Sequence, residues 1–412
     1  MEKHFTSLRR ALGLTALCTA LFLTAQPGRA ADSPAASKDE MASPSRLLAR
    51  LWRKTGTFTK VYRATLIGDT LYVAGTPRGL EAVDVATGLP RWMHLGEYPV
   101  DVAPTVKENI VYTVEGGRFV SIDATTGTEL TRTKSKVGSV TPVYPGEHAW
   151  VIGSGDGHVY GLGPGAGRSA GRKVWRVLVD DFITASTWDG DKLAYFLNAR
   201  GAVYAASVPA QKLAWHYQLR KPACSPLALS GGVVYVGCED YYLYALDAAS
   251  GSVRWRVVLA APVLDAPVVV GSRLYVATKD GVLHAVDTET HSEVWSNPNA
   301  GRVLTTTPDH LIFLRVVDGV NHVGVADAAT GQVISEATAM HYETFAAAPE
   351  KGVFYAVSKN GDVLAVGDRA AMKAAEQAAE KAAHPAAPAA EAPAPVKPAE
   401  ATVTTTTLPP PT

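Results

Sequence analysis

Cys224 and Cys238 are the only cysteines after residue 18, and they flank Leu229-Ser230-Gly231-Gly232-Val233, a turn signal between two apolar runs. If Leu229 opposes Gly232 across a hairpin, Cys224 opposes residue 237. The sulfurs then share one neighbourhood, which predicts a structural disulfide, with two buried thiols as the alternative. No C-x-x-C accompanies them, so thiol redox chemistry is not expected. The eleven histidines are scattered, without H-E-x-x-H or a metal-ligand cluster. Gly153-Ser154-Gly155-Asp156-Gly157 has the composition of a phosphate or calcium loop, yet it falls where other parts of the chain have a tight turn, and it is read as a turn. No catalytic, cofactor-binding or metal-ligating residue is assigned.

The elements that carry these residues repeat. Ala82 to Trp92 has the pattern A-x-D-x-x-[ST]-G-x-x-x-W; Ala245 to Trp255 repeats it, and Ala285 to Trp295 does so with His291 in place of Gly. Positions in the Asp phase are 84, 123, 163, 207, 247, 287, 327 and 367, and the one long step coincides with the Gly-rich insertion Gly163 to Gly171. Within a unit, Leu71-Tyr72-Val73-Ala74 and Leu80 to Val83 read as two strands around a polar turn. Asp84 accepts backbone N–H bonds at the next turn, and Gly88 supplies the positive φ that turn needs. Trp92, on a third strand, is suited to dock on a neighbouring copy. The same docking role is expected of Trp52, Trp175, Trp215, Trp255 and Trp295, and the turn role of Asp247 and Asp287. Eight copies of about 40 residues, each of four short antiparallel strands, predict an all-β, eight-bladed β-propeller.

Trp52 stands forty residues before Trp92, ahead of any complete unit, while the last unit lacks a fourth strand of its own. The segment around Trp52 is therefore expected to close the ring as the outer strand of the last blade, removing an exposed sheet edge. Turns between the second and third strands point to one face and carry Arg78, Arg118, Asp156, Arg200, Asp240, Asp280, Asp318 and Lys359. Arginines fall in units one, two and four, and aspartates in five, six and seven. Such a polarised rim can orient a partner protein, although turns also tolerate any solvated charge.

Basic residues, an apolar run and small residues before position 30 predict a signal peptide over residues 1–30, so the protein is expected to be exported. Cys18 follows the bulky Leu17 inside the apolar run, and lipidation is not expected. Residues 31–45 read as a linker, residues 46–369 as the propeller, and residues 370–412 as an Ala/Pro/Thr-rich tail, a short helix followed by a flexible segment. The 39 basic and 39 acidic residues leave no steering field for nucleic acid, which is not expected as a partner.

The repeat resembles the PQQ-type propeller repeat of quinoprotein dehydrogenases over roughly residues 46–369. Those enzymes hold their quinone against adjacent cysteines and a calcium ion with acidic and amide side chains. This chain has no adjacent Cys pair and almost no insertions, so neither a cofactor nor enzymatic activity is expected; a quinone-dependent dehydrogenase is the alternative. Taken with size and export, the repeats resemble the propeller subunits of the outer-membrane barrel-assembly machinery. That resemblance implies a non-enzymatic scaffold in the periplasm or at the outer-membrane periphery of a Gram-negative cell. It also implies a monomer within a complex, with an envelope protein such as the barrel insertase as partner. In that family the partner-binding residues lie around a Leu-x-Leu-Arg stretch between blades. The nearest match is Leu219-Arg220, in a shorter loop lacking the first Leu. A third reading, a binder of cell-wall glycans, calls for aromatic groups at the channel mouth.

Overall fold

Two middle strands per repeat are apolar on both faces, and their surroundings explain why. In the computed structural model, which describes residues 47–164 and 170–368, every residue of Leu71–Ala74 and Leu80–Val83 is buried, whereas Pro90–Leu95 alternates between buried and exposed. A middle strand lies between two neighbouring blades and needs apolar groups on both sides. The outermost strand covers only one.

The strands form eight four-stranded antiparallel sheets arranged as the blades of a β-propeller. Blades 1 to 7 are consecutive: residues 60–95, 105–134, 144–178, 183–218, 228–258, 268–297 and 302–338. Blade 8 combines Tyr342–Ala347, Val353–Ser358 and Val363–Asp368 with β1 (Leu48–Lys54) as its outer strand. Leu48 pairs with Asp368 and Lys54 with Val363, with an irregularity between Arg50 and Trp52. The expected closure of the ring by the Trp52 segment is what the fold uses. First strands of adjacent blades touch at the 8/1, 7/8 and 4/5 boundaries, which makes them the inner strands.

The hydrophobic core is divided. Among the described residues eight buried clusters occur, one at each seam between neighbouring blades. Each up-and-down blade places its second-to-third-strand turn on one face of the ring and its other two turns on the opposite face. The expected signal peptide (1–30), linker (31–45) and tail (370–412) lie outside the described residues.

Candidate interaction site

A cross-strand row recurs through the blades. In blade 1 the register places Tyr72, Ala82 and Trp92 side by side on strands two, three and four. Blades 4, 5 and 6 repeat it with Tyr195-Ala205-Trp215, Tyr235-Ala245-Trp255 and Tyr275-Ala285-Trp295. Blade 8 builds the same row across the joined ends, Tyr355-Ala365-Trp52. The Tyr and Trp ring centroids of each row lie 5.7–6.0 Å apart. A small residue between them leaves room for the indole to lie across the sheet, alanine in these five rows and Gly161 beneath Trp175 in blade 3.

Each Trp then reaches the turn of the next blade. Nε1 of Trp92 donates to the Ala124 carbonyl at 2.7 Å, Trp215 to Ala248 at 2.9 Å and Trp295 to Ala328 at 3.3 Å. The rings lie so close to Gly127, Gly251 and Gly331 that a Cβ there would meet them at 2.4–2.7 Å, and all three glycines have φ of 72–74°. At the fifth seam His291 takes the glycine's place at φ 58° and stacks on Trp255 at 4.9 Å.

The turn aspartates act as the sequence suggested. Asp84 Oδ1 accepts from the Ala86 N–H, the Thr87 N–H and the Thr87 hydroxyl at 2.9–3.1 Å, and Asp247 and Asp287 repeat the arrangement. Hydrogen bonds from Arg91, with help from Thr87, hold the Asp84 carboxyl at a pKa of about 2. Arg254 and Ser250 do the same for Asp247, also to about 2.

Three blades depart from the row. Trp175 was expected to dock like the others, but its Nε1 lies over Gly161 and has no hydrogen-bond partner among the described residues. The next turn explains this: Ser207 stands in the Asp phase and Gln211, at φ 53°, where the glycine would be. Blade 7 has Ile312-Val325-Ser335, and its seam is filled by aliphatic side chains including Leu48. Blade 2 has Tyr112-Ser121-Thr131.

Seven of the eight charges lie in those turns, and Arg118 opens the third strand of blade 2 directly after the Gly116-Gly117 turn. Arg78 is exposed and donates to the Glu97 carbonyl, the Arg118 guanidinium sits 4.2 Å from the centre of the Tyr98 ring, and Arg200 Nε lies 3.2 Å from Asp181 Oδ2. On the acidic side, Asp240 accepts from the Tyr244 hydroxyl and Asp280 from the Thr278 hydroxyl, both at 2.6 Å. Burial works to raise the Asp240 carboxyl, but the hydrogen bonds from Tyr244 and its neighbours outweigh it and hold the pKa below the usual range. Asp318 and Gly319, with φ of 50° and 78°, form the tip of the Val316–Val320 hairpin. The same face exposes Val140, Phe182, Leu264, Val316 and Met340.

Two expectations need correction. Leu219 is buried in the core between blades 4 and 5 and is not part of an accessible surface, although Arg220 beside it is exposed. Cys224 and Cys238 are both free thiols. The register is as expected, since Cys224 N–H donates to the Gly237 carbonyl and Ala223 bridges Cys238. Successive side chains of a strand point to opposite faces, however. Cys238 therefore packs between blades 4 and 5, and Cys224 between blades 5 and 6.

Sequence reasoning also missed a buried charge cluster at the seam of blades 1 and 2. Glu115, fully buried, lies 3.0 Å from His94 Nε2 and 2.8 Å from Arg132 Nη2. Desolvation acts to raise its pKa, and these two partners more than offset it. No local motif announces residues that far apart in sequence. Among the described residues no group of three or more His, Cys, Asp or Glu is placed to hold a metal ion.

The sequence matches the family described as outer membrane protein assembly factor BamB over residues 49–170 and 155–392. No curated protein sequence matches it. Among solved structures it is similar to BamB from Moraxella catarrhalis, at 16% identity and a TM-score of 0.62, covering 78% of this chain and 98% of that one. It is also similar to the computationally designed Ika8 protein, at 16% identity and a TM-score of 0.56, covering 77% and 99%. At that identity the structural likeness concerns the fold, whereas the family match spans most of the sequence. The chain belongs to the family of outer membrane protein assembly factor BamB.

Proposed function

We propose that this protein is a non-catalytic scaffold of the Gram-negative cell envelope. It binds a partner protein on the face that carries the second-to-third-strand turns. The observation that carries this reading is the composition of that face. Arg78, Arg118 and Arg200 stand on one arc, interrupted by Asp156 in blade 3, and Asp240, Asp280 and Asp318 on the other, with Lys359 of blade 8 between the arcs and exposed Phe182, Leu264, Val316 and Met340 among them. Opposed charges set the orientation of a docked protein and its rate of association, while apolar groups supply contact area. Family membership makes the periplasmic domains of the barrel insertase the first partner to try.

The test is complex formation between the purified protein and those domains, read by size-exclusion chromatography and calorimetry. The variant Arg78→Glu/Arg118→Glu/Arg200→Glu is expected to weaken the complex while melting like wild type. An unchanged affinity would sink the face, and no complex with any envelope protein would sink the scaffold reading. Reduction of an artificial electron acceptor after addition of pyrroloquinoline quinone and calcium would instead favour a dehydrogenase.

A further inference from the structure

Arg118 differs from the other two rim arginines in what it touches. Arg200 faces the Asp181 carboxylate and Arg78 the Glu97 carbonyl, whereas the Arg118 guanidinium lies 4.2 Å from the centre of the Tyr98 ring. Tyr98 in turn rests on the blade 2 turn, where a Cβ on Gly116 would meet its Cγ at 2.4 Å. A stacked guanidinium gives its flat face to the ring and keeps its N–H groups, which lie in its plane, for other acceptors. Among the described residues nothing takes them: Arg118 has no ion pair and no side-chain hydrogen bond.

The register adds a second cation. Arg118 stands directly opposite Lys134 on the outer strand of blade 2, so both side chains leave the same face of the sheet. Lys134 is exposed and has no acidic partner among the described residues, and exposed Lys136 follows two residues on. Like charges directly opposite each other disfavour strand pairing. The neighbouring acids do not relieve them. Glu115, the cross-strand partner of Arg118, and Glu129 are both bonded to Arg132. Asp101 Oδ2 accepts from the Gly117 N–H at 2.8 Å. The Glu97 carboxylate stays outside ion-pair distance of both cations.

We infer that Arg118 and Lys134 form a carboxylate clamp on the docking face, filled by an aspartate or glutamate side chain of the partner protein. Stacking on Tyr98 holds the guanidinium in one orientation. Its planar edge is then set for two parallel hydrogen bonds to a carboxylate, and little side-chain freedom is lost on binding. Lys134 supplies a second charge, and the incoming acid offsets the repulsion between the two cations. Arginine and tyrosine are also the residues that most often anchor protein interfaces. The inference rests on the scaffold reading in one respect, that the acid belongs to a protein.

The probe is the peptide acetyl-Glu-Glu-Glu-amide, titrated while NMR follows the Arg118 Nε–H and Tyr98 ring resonances. Acetyl-Gln-Gln-Gln-amide and inorganic phosphate are the comparisons. Wild type is expected to show a saturable shift with the Glu peptide and none with the Gln peptide. Arg118→Lys keeps the charge but loses the planar fork, and should weaken binding about tenfold. Tyr98→Leu, which removes the platform and leaves every charge in place, should weaken it about threefold. Lys134→Ala should weaken binding yet melt no lower than wild type, because one of two like charges is gone. No saturable shift, an equal shift with the Gln peptide, or undiminished binding to folded Arg118→Lys would each overturn the clamp. Phosphate bound more tightly than the Glu peptide would overturn its assignment to a carboxylate. A saturable Glu-peptide response without any envelope complex would keep the clamp and sink the scaffold reading. An envelope complex as tight with Arg118→Lys as with wild type would overturn the clamp as part of that interface and leave the scaffold reading standing.

Discussion

The Trp52 indole donates its Nε1 hydrogen to the Val85 carbonyl at 2.9 Å, joining the last blade to the first. The ring of Trp52 also lies against Gly88, the first turn glycine of the repeat. One strand thus provides both the outer ladder of blade 8 and the last interblade contact. Deleting residues 31–53 removes that strand and Leu48 with it, exposing the edge of Val363–Asp368. An unpaired strand edge templates association. The truncated protein is expected to oligomerise or aggregate in size-exclusion chromatography, whereas deletions of 31–43 or of everything after Ala370 should elute as wild type. A stable monomer lacking 31–53 would mean that the ring closes in some other way.

Trp215 and Gly251 should prove energetically coupled. Trp215 is buried, and its removal leaves a cavity, so Trp215→Ala is expected to cost about 3–5 kcal/mol in denaturant unfolding. Gly251→Ala puts a Cβ 2.4 Å from the indole at a φ of 74°. The backbone strain alone is about 1–3 kcal/mol. Because the collision disappears with the indole, the double variant should lose less than the sum of the two. Strict additivity would show that the ring and the turn do not interact.

Acid should weaken the ring through its turn aspartates. Asp84 and Asp247 have carboxyl pKa values near about 2 in the folded protein, against an ordinary 3.8. A depressed folded-state value stabilises the protein above the unfolded pKa, and that contribution is lost as pH falls through the folded one. Melting temperature should therefore drop as pH goes from about 4 to about 2. Asp84→Asn, which removes one titrating group, should flatten that slope and lower the melting temperature at neutral pH. A slope identical to wild type would remove Asp84 from the acid response.

Both core cysteines should be found as thiols. Burial raises each pKa, that of Cys238 to about 11, so neither is expected to react readily in the folded state. Alkylation in denaturant without reductant should label Cys224 and Cys238 alike, and mass spectrometry should show no intramolecular bridge between them. Peptides joined through the two sulfurs would contradict their placement on opposite faces of blade 5.

The period, the Asp and Gly turns, the number of blades and the closing strand are legible in the sequence. Each depends on residues close together along the chain, or on the spacing of identical units. Asp84 finds its N–H partners within three residues, and Trp52 betrays its role by standing in phase with Trp92. Tertiary structure decided the rest. Cys224 and Cys238 occupy the expected register, but the alternation of side chains across the pleat sends them into different seams. Leu219 follows a strand into the core, so a loop match on paper becomes a packing residue. The seam beside Tyr112 is the clearest case. Thr131 is unremarkable in sequence, and its consequence depends on whether a side chain from elsewhere fills the space. Leu48 does so between blades 7 and 8, and between blades 2 and 3 the Trp150 ring of blade 3 packs against Tyr112. Local periodicity specifies the repeated framework, while the places where repeats fail to match are settled only when two blades are packed together.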